Sequence, residues 1–104
     1  MNEQVYLLED DESICDLVQC TLDMHSISCR TFTTVKAFSA AIEEHLPDVV
    51  LLDIMLSDGN GLEVLERLKA RFPALCVIML SALGKETDKV KGLNAGADDY
   101  IAKP

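Results

Sequence analysis

The 104 residues are 49% apolar and 26% charged, the size and composition of one globular domain able to build a core. A net charge of −9 argues against direct nucleic-acid binding, which needs clustered Lys and Arg, and suits a cation or a basic protein surface, or simply solubility. No apolar run approaches the roughly 20 residues of a membrane span and no charged-then-apolar leader opens the chain, so a soluble cytoplasmic protein without membrane contact is expected.

In chain order, "QVYLL" (4–8) reads as a short buried strand. From Ser13, apolar residues recur at Ile14, Leu17, Val18 and Leu22, the spacing of one helix face. "ISCRTF" (27–32) alternates as a strand does. Val35, Phe38, Ala41, Ile42 and Leu46 then mark a second helix, stopped by Pro47. "DVVLLDIM" (48–55) is a solid apolar run and reads as the most buried strand. "SDGNG" (57–61) is turn chemistry, and Leu62, Leu65, Leu68 and Phe72 predict a third helix ended by Pro73. "LCVIMLS" (75–81) is a fourth strand. A weaker helix over roughly 86–95, with only Val90 and Leu93 clearly apolar, ends near Gly96, and "DYIA" (99–102) is a fifth strand.

Solid apolar strands alternating with helices predict an α/β fold with a parallel sheet, right-handed crossovers and helices on both faces. Five strands with four helices leave part of one face bare. The expectation is a C-terminally truncated domain over 1–104 whose fifth helix is missing from this chain, with an apolar sheet face exposed.

The four cysteines (15, 20, 29 and 76) have no zinc-like spacing and read as reduced thiols packed as small apolar residues. His25 and His45 are isolated and carry no assigned chemistry.

Ligands of open α/β sheets bind beyond the carboxyl ends of the strands. There the first strand delivers Glu9 and Asp10, the third Asp53, the fourth Ser81, and the fifth leads to Lys103. Taken singly, Asp53 could be a strand meeting solvent and Lys103 a solvated surface lysine. Together, three mutually repelling carboxylates suit a hard cation such as Mg2+, and with an ammonium nearby they suit a phosphoryl group. A carboxylate in that setting can act as nucleophile and form an acyl phosphate, with Asp53 the natural acceptor and Ser81 able to hydrogen-bond a phosphoryl oxygen. Asp11 and Glu12 fall at the start of the first helix, where an N-cap and the helix dipole favour negative charge.

"LLEDD", "DVVLLDIMLSDGNGLEVL", "VIMLSA" and "GADDYIAKP", at these spacings over the whole chain, resemble the receiver domain of bacterial two-component response regulators, most like those attached to winged-helix DNA-binding domains. The resemblance implies a flavodoxin-like, doubly wound (βα)5 fold. It implies Asp53 as phosphoacceptor and Mg2+ held by Glu9, Asp10, Asp53 and the backbone carbonyl of Met55. Ser81 is similar to the hydroxyl residue that moves toward the phosphoryl group, and Lys103 to the lysine that pairs with it, followed by a cis bond to Pro104. Tyr100 is similar to the aromatic that turns inward when Ser81 moves; read without the family it is an aromatic packed at a sheet edge, as Met55 is a core or rim methionine.

The implied activity is acceptance of a phosphoryl group from a sensor histidine kinase, a phosphorelay switch and not an enzyme on other substrates, catalysing only its own phosphorylation and dephosphorylation. The helix 4/strand 5 surface would control an output, transcription in winged-helix relatives, and could form a homodimer. Ser57 stands where many members carry Pro, and the fifth helix is absent. A haloacid-dehalogenase-type phosphatase would want an acid where Met55 stands, and a nucleotide-binding module would want a glycine-rich loop after the first strand. A degenerate receiver acting as a phosphorylation-independent protein-binding module is the remaining alternative.

Overall fold

A computed structural model describes residues 3–56, 58–81 and 93–102, the side chains of Met55, Ser81 and Ala102 excepted. Five parallel strands form one sheet: β1 (Gln4–Leu8), β2 (Ser28–Phe32), β3 (Val49–Asp53), β6 (Cys76–Ser81) and β7 (Asp99–Ala102), in the spatial order β2-β1-β3-β6-β7. Three helices are described, α1 (Glu12–Met24), α2 (Val35–Glu44) and α3 (Gly61–Arg71). The architecture is the flavodoxin-like one, with the chain reversing direction across the sheet between β1 and β3.

The solid apolar runs are explained by burial on two faces. One face sends Tyr6, Leu8, Val50, Leu52, Val77 and Met79 into a core closed by Phe38, Ala41 and Ile42 of α2 and Val64, Leu65 and Leu68 of α3. Tyr6, Phe32 and Phe38 meet edge to face with centroids 5.1–6.5 Å apart, geometry that adds about 0.5–1.5 kcal/mol per pair beyond area burial. The opposite face, with Val5, Leu7, Cys29 and Leu80, packs on Cys15, Val18 and Leu22 of α1. On that same side Leu51 is half-buried and Ile101 is 48% exposed.

Local chemistry sets the helix ends. The Asp11 carboxylate accepts from the backbone N–H of Ser13 and Ile14 at 2.9 and 3.3 Å, making it the N-cap of α1, with Glu12 in the first turn. Thr34 caps α2 through Ala37 N–H, and Asn60 caps α3 through Leu62 N–H. The approaches to β6 and β7 are tied to α3 by Lys69, whose ammonium donates to Leu75 O at 2.6 Å and to Asp98 at 2.8 Å.

The structure departs from the sequence expectation at one place that bears on the site. The third strand of the sheet ends at Asp53, as placing the site at strand ends expects, so the run 48–55 is not one strand. Met55–Leu56 forms β4, which pairs antiparallel with β5 (Gly59–Asn60) in a separate two-stranded hairpin. Apolar residues on both sides of Asp53 hid the break, because Ile54, Met55 and Leu56 prolong the run past the end of the strand. Of the weak helix expected over 86–95, only its last part is described, with Leu93 and Asn94 helical.

Candidate functional site

β1 and β3 lie side by side in parallel register, Leu8 beside Leu52, so the residues just past each strand emerge at the same end of the sheet. Glu9 continues the β1 ladder, its N–H donating to Phe32 O at 3.0 Å. Its carboxylate is fully buried and accepts the Asp11 N–H at 3.1 Å. Asp53, the last residue of β3, is 2% exposed. Asp10 sits at the surface beside them.

The ligand oxygens of Glu9, Asp10 and Asp53 all lie within 4.8 Å of one another. Two buried carboxylates and one exposed carboxylate make a donor set of hard oxygens with an open side. That set fits Mg2+, which takes few protein carboxylates and keeps several waters. Asp11, one residue on, belongs to the helix instead. The acidic run therefore divides between Asp10 and Asp11, and the backbone N–H of Asp11 orients Glu9 while its side chain caps α1.

Cys15 lies beneath this corner, its thiol donating to the Glu9 carbonyl at 3.2 Å. Burial, and then the Glu9 charge, push its pKa up to about 11, so it stays protonated at neutral pH.

The remaining expected site residues are placed in part. The backbone of Met55 lies in β4, paired with Asn60, two residues after Asp53. Ser81 closes β6, one position beyond Leu80, the register partner of Asp53. The side chains of Met55 and Ser81, and all of Lys103 and Pro104 with the expected cis bond between them, lie outside the described residues, as does Ser57. Tyr100 is half-buried on edge strand β7 and packs against the larger core.

A family model described as the response regulator receiver domain matches residues 5–104. The chain belongs to the response regulator receiver domain family. It is 37% identical over 106 residues to the regulatory protein VanRc of Enterococcus gallinarum, covering all of this chain and 45% of that one. It is also 37% identical over 102 residues to the transcriptional regulatory protein CreB of Escherichia coli K12, covering 98% and 44% respectively. Among solved structures, the response regulator DrrB of Thermotoga maritima, described as an OmpR/PhoB homolog, superposes with a TM-score of 0.89 at 35% identity, over all of this chain and 46% of that one. The chain thus spans less than half the length of the curated relatives it matches. As a response regulator receiver domain it is a signalling switch, of a family that binds Mg2+ at an acidic pocket, and its relative CreB is named as a transcriptional regulatory protein.

For two residues around the site, Gly61 and Asp58, the sequence reading of 57–61 as a turn did not show what they contact. Gly61 lies against the Asp53 backbone and donates its N–H to Ile54 O at 2.8 Å. Asp58, between β4 and β5, reaches across to the first turn of α2. The first turn of α2, Val35-Lys36-Ala37, has no acid of its own, and that absence was the available sign that a carboxylate comes from elsewhere.

Proposed function

We propose that Asp53 is the phosphoacceptor, with Glu9, Asp10, Asp53 and the Met55 carbonyl as the protein ligands of Mg2+. The observation that carries this is the buried Asp53 carboxylate at the end of a central strand, grouped with Glu9 and Asp10 within 4.8 Å. A bound Mg2+ would offset the carboxylate repulsion and the charge developing on the phosphoryl oxygens.

In the step itself, a carboxylate oxygen of Asp53 forms a bond to phosphorus. The bond from phosphorus to the imidazole nitrogen of the kinase phosphohistidine breaks, its electron pair staying on that nitrogen. The product is an acyl phosphate. Ser81 and Lys103 supply a hydroxyl and an ammonium to the new phosphoryl oxygens. The inward turn of Tyr100 then shifts populations toward an active surface around residues 84–101, the face offered to an output or to a second copy. The kinase partner, a winged-helix output acting on transcription and a cytoplasmic location belong to this same reading.

Incubation with Mg2+ and acetyl phosphate is expected to add one acid-stable, base-labile phosphoryl group, and none to Asp53→Ala or in the presence of EDTA. An unlabelled native chain would refute the acceptor role. Amide exchange with and without beryllofluoride tests the switch, and identical protection over 84–101 in both would sink it.

A further inference from the structure

The segment from Asp53 to α3 is held at three points. At its base, Gly61 N–H donates to Ile54 O. In the middle, Met55 and Leu56 pair with Asn60 and Gly59. At its tip, both carboxylate oxygens of Asp58 accept the Val35 N–H, at 2.9 and 3.0 Å, and one lies 3.5 Å from Lys36 N. The contact is packed as well as polar, since a Cβ on Gly59 would stand 3.0 Å from Val35 Cγ2.

The tip contact satisfies two needs at once. Free N–H groups in the first turn of a helix attract a carboxylate, and α2 carries none of its own there. A two-stranded hairpin, for its part, is marginal without packing or anchoring. Thr34 already caps α2 through Ala37, so the helix has a second, independent cap. The hairpin has no such duplicate among the described hydrogen bonds of its tip.

We propose that Asp58 is a positioning residue of the phosphorylation site. By fastening the hairpin tip to α2, it fixes the backbone of Met55 and so the direction of its carbonyl. This inference rests on the reading above, in which that carbonyl is a protein ligand of Mg2+.

The test compares Asp58→Ala, Asp58→Asn and Thr34→Ala in the 104-residue chain. Each removes or weakens a cap on α2, but only Asp58→Ala also releases the hairpin. Asp58 is exposed, so the substitutions leave the core intact. Mg2+ affinity by calorimetry, the rate of acetyl phosphate labelling and the melting temperature are read on all three. Asp58→Ala is expected to weaken Mg2+ roughly tenfold or more, the scale on which lost outer-shell partners act, and to slow labelling with it. Asp58→Asn, which keeps an acceptor oxygen for Val35 N–H, recovers most of both. Thr34→Ala lowers the melting temperature with Mg2+ affinity unchanged. Native Mg2+ affinity in Asp58→Ala, or a loss in Thr34→Ala of the same size, overturns the inference alone. A native chain that neither binds Mg2+ nor accepts phosphoryl overturns the inference together with the reading it rests on.

Discussion

A Cβ on Gly61 would lie inside the Asp53 carbonyl group, 2.8 Å from its carbon and equally close to Ile54 Cα. Both neighbours are backbone, so no side-chain rotation relieves the clash. Gly61 is required by close approach and not by a left-handed φ, which among the described glycines only Gly96 adopts. Gly61→Ala must push α3 away from the end of β3. It is expected to cost about 2 kcal/mol, or roughly 10 °C in melting temperature, and to impair labelling of Asp53. A thermal melt at the native temperature would show that the loop yields without cost.

The Lys69–Asp98 pair links α3 to the approach to β7. Hydrogen bonds from the Lys69 ammonium, and then from Val77 N–H at 2.8 Å, hold the Asp98 carboxyl below its ordinary value of 3.8. A lowered carboxylate pKa means stability that is present above that ordinary value and lost as pH falls through the folded one. Asp98 is 45% exposed, so solvent screening limits the effect of Asp98→Asn at neutral pH to about 1 kcal/mol. The native and variant melting temperatures should differ at pH 7 and converge in acid below 3.8. A constant difference across that range would assign the effect to packing instead.

The cysteines should react in a fixed order. Cys20 is exposed, Cys76 intermediate, and Cys15 and Cys29 buried. Burial raises both buried thiols to about 11, aided by the charge of Glu9 on Cys15 and of Asp23 on Cys29. Since the thiolate is the nucleophile, iodoacetamide at pH 8 is expected to modify Cys20 first and to spare Cys15 and Cys29 until the chain is unfolded. Peptide mapping by mass spectrometry reads this directly, and early labelling of Cys15 would contradict its packed position beneath Glu9.

The fold was legible wherever a strand packs on both faces, because residues 5–8, 49–52 and 76–80 must then be solid apolar runs. Helix starts were legible where the cap is local, as at Asp11. Contacts made across the chain were not. Asp58 caps a helix 23 residues earlier, and Gly61 is small because of a carbonyl eight positions back. Neither relation leaves a periodicity, so both residues looked like ordinary turn formers. The site was half legible for a related reason. Strand ends announce Glu9, Asp10 and Asp53 as neighbours once the sheet order is known, but only the folded register shows which oxygens converge.

The adjacent acids Asp10 and Asp11 should separate cleanly by substitution. Asp10 contributes an oxygen to the three-carboxylate cluster, whereas the Asp11 side chain is spent on Ser13 and Ile14. Asp10→Asn is therefore expected to weaken Mg2+ roughly tenfold or more, with little change in melting temperature. Asp11→Ala should do the reverse, costing about 1 kcal/mol of stability through the lost cap. Asp11→Asn should be nearly silent in both measurements, since Asn caps about as well as Asp. All three keep the Asp11 backbone N–H that orients Glu9, so none disturbs the hold on Glu9. Calorimetric Mg2+ titrations beside thermal melts decide the matter: a Mg2+ defect in Asp11→Asn, with native affinity in Asp10→Asn, would move the ligand to the other residue.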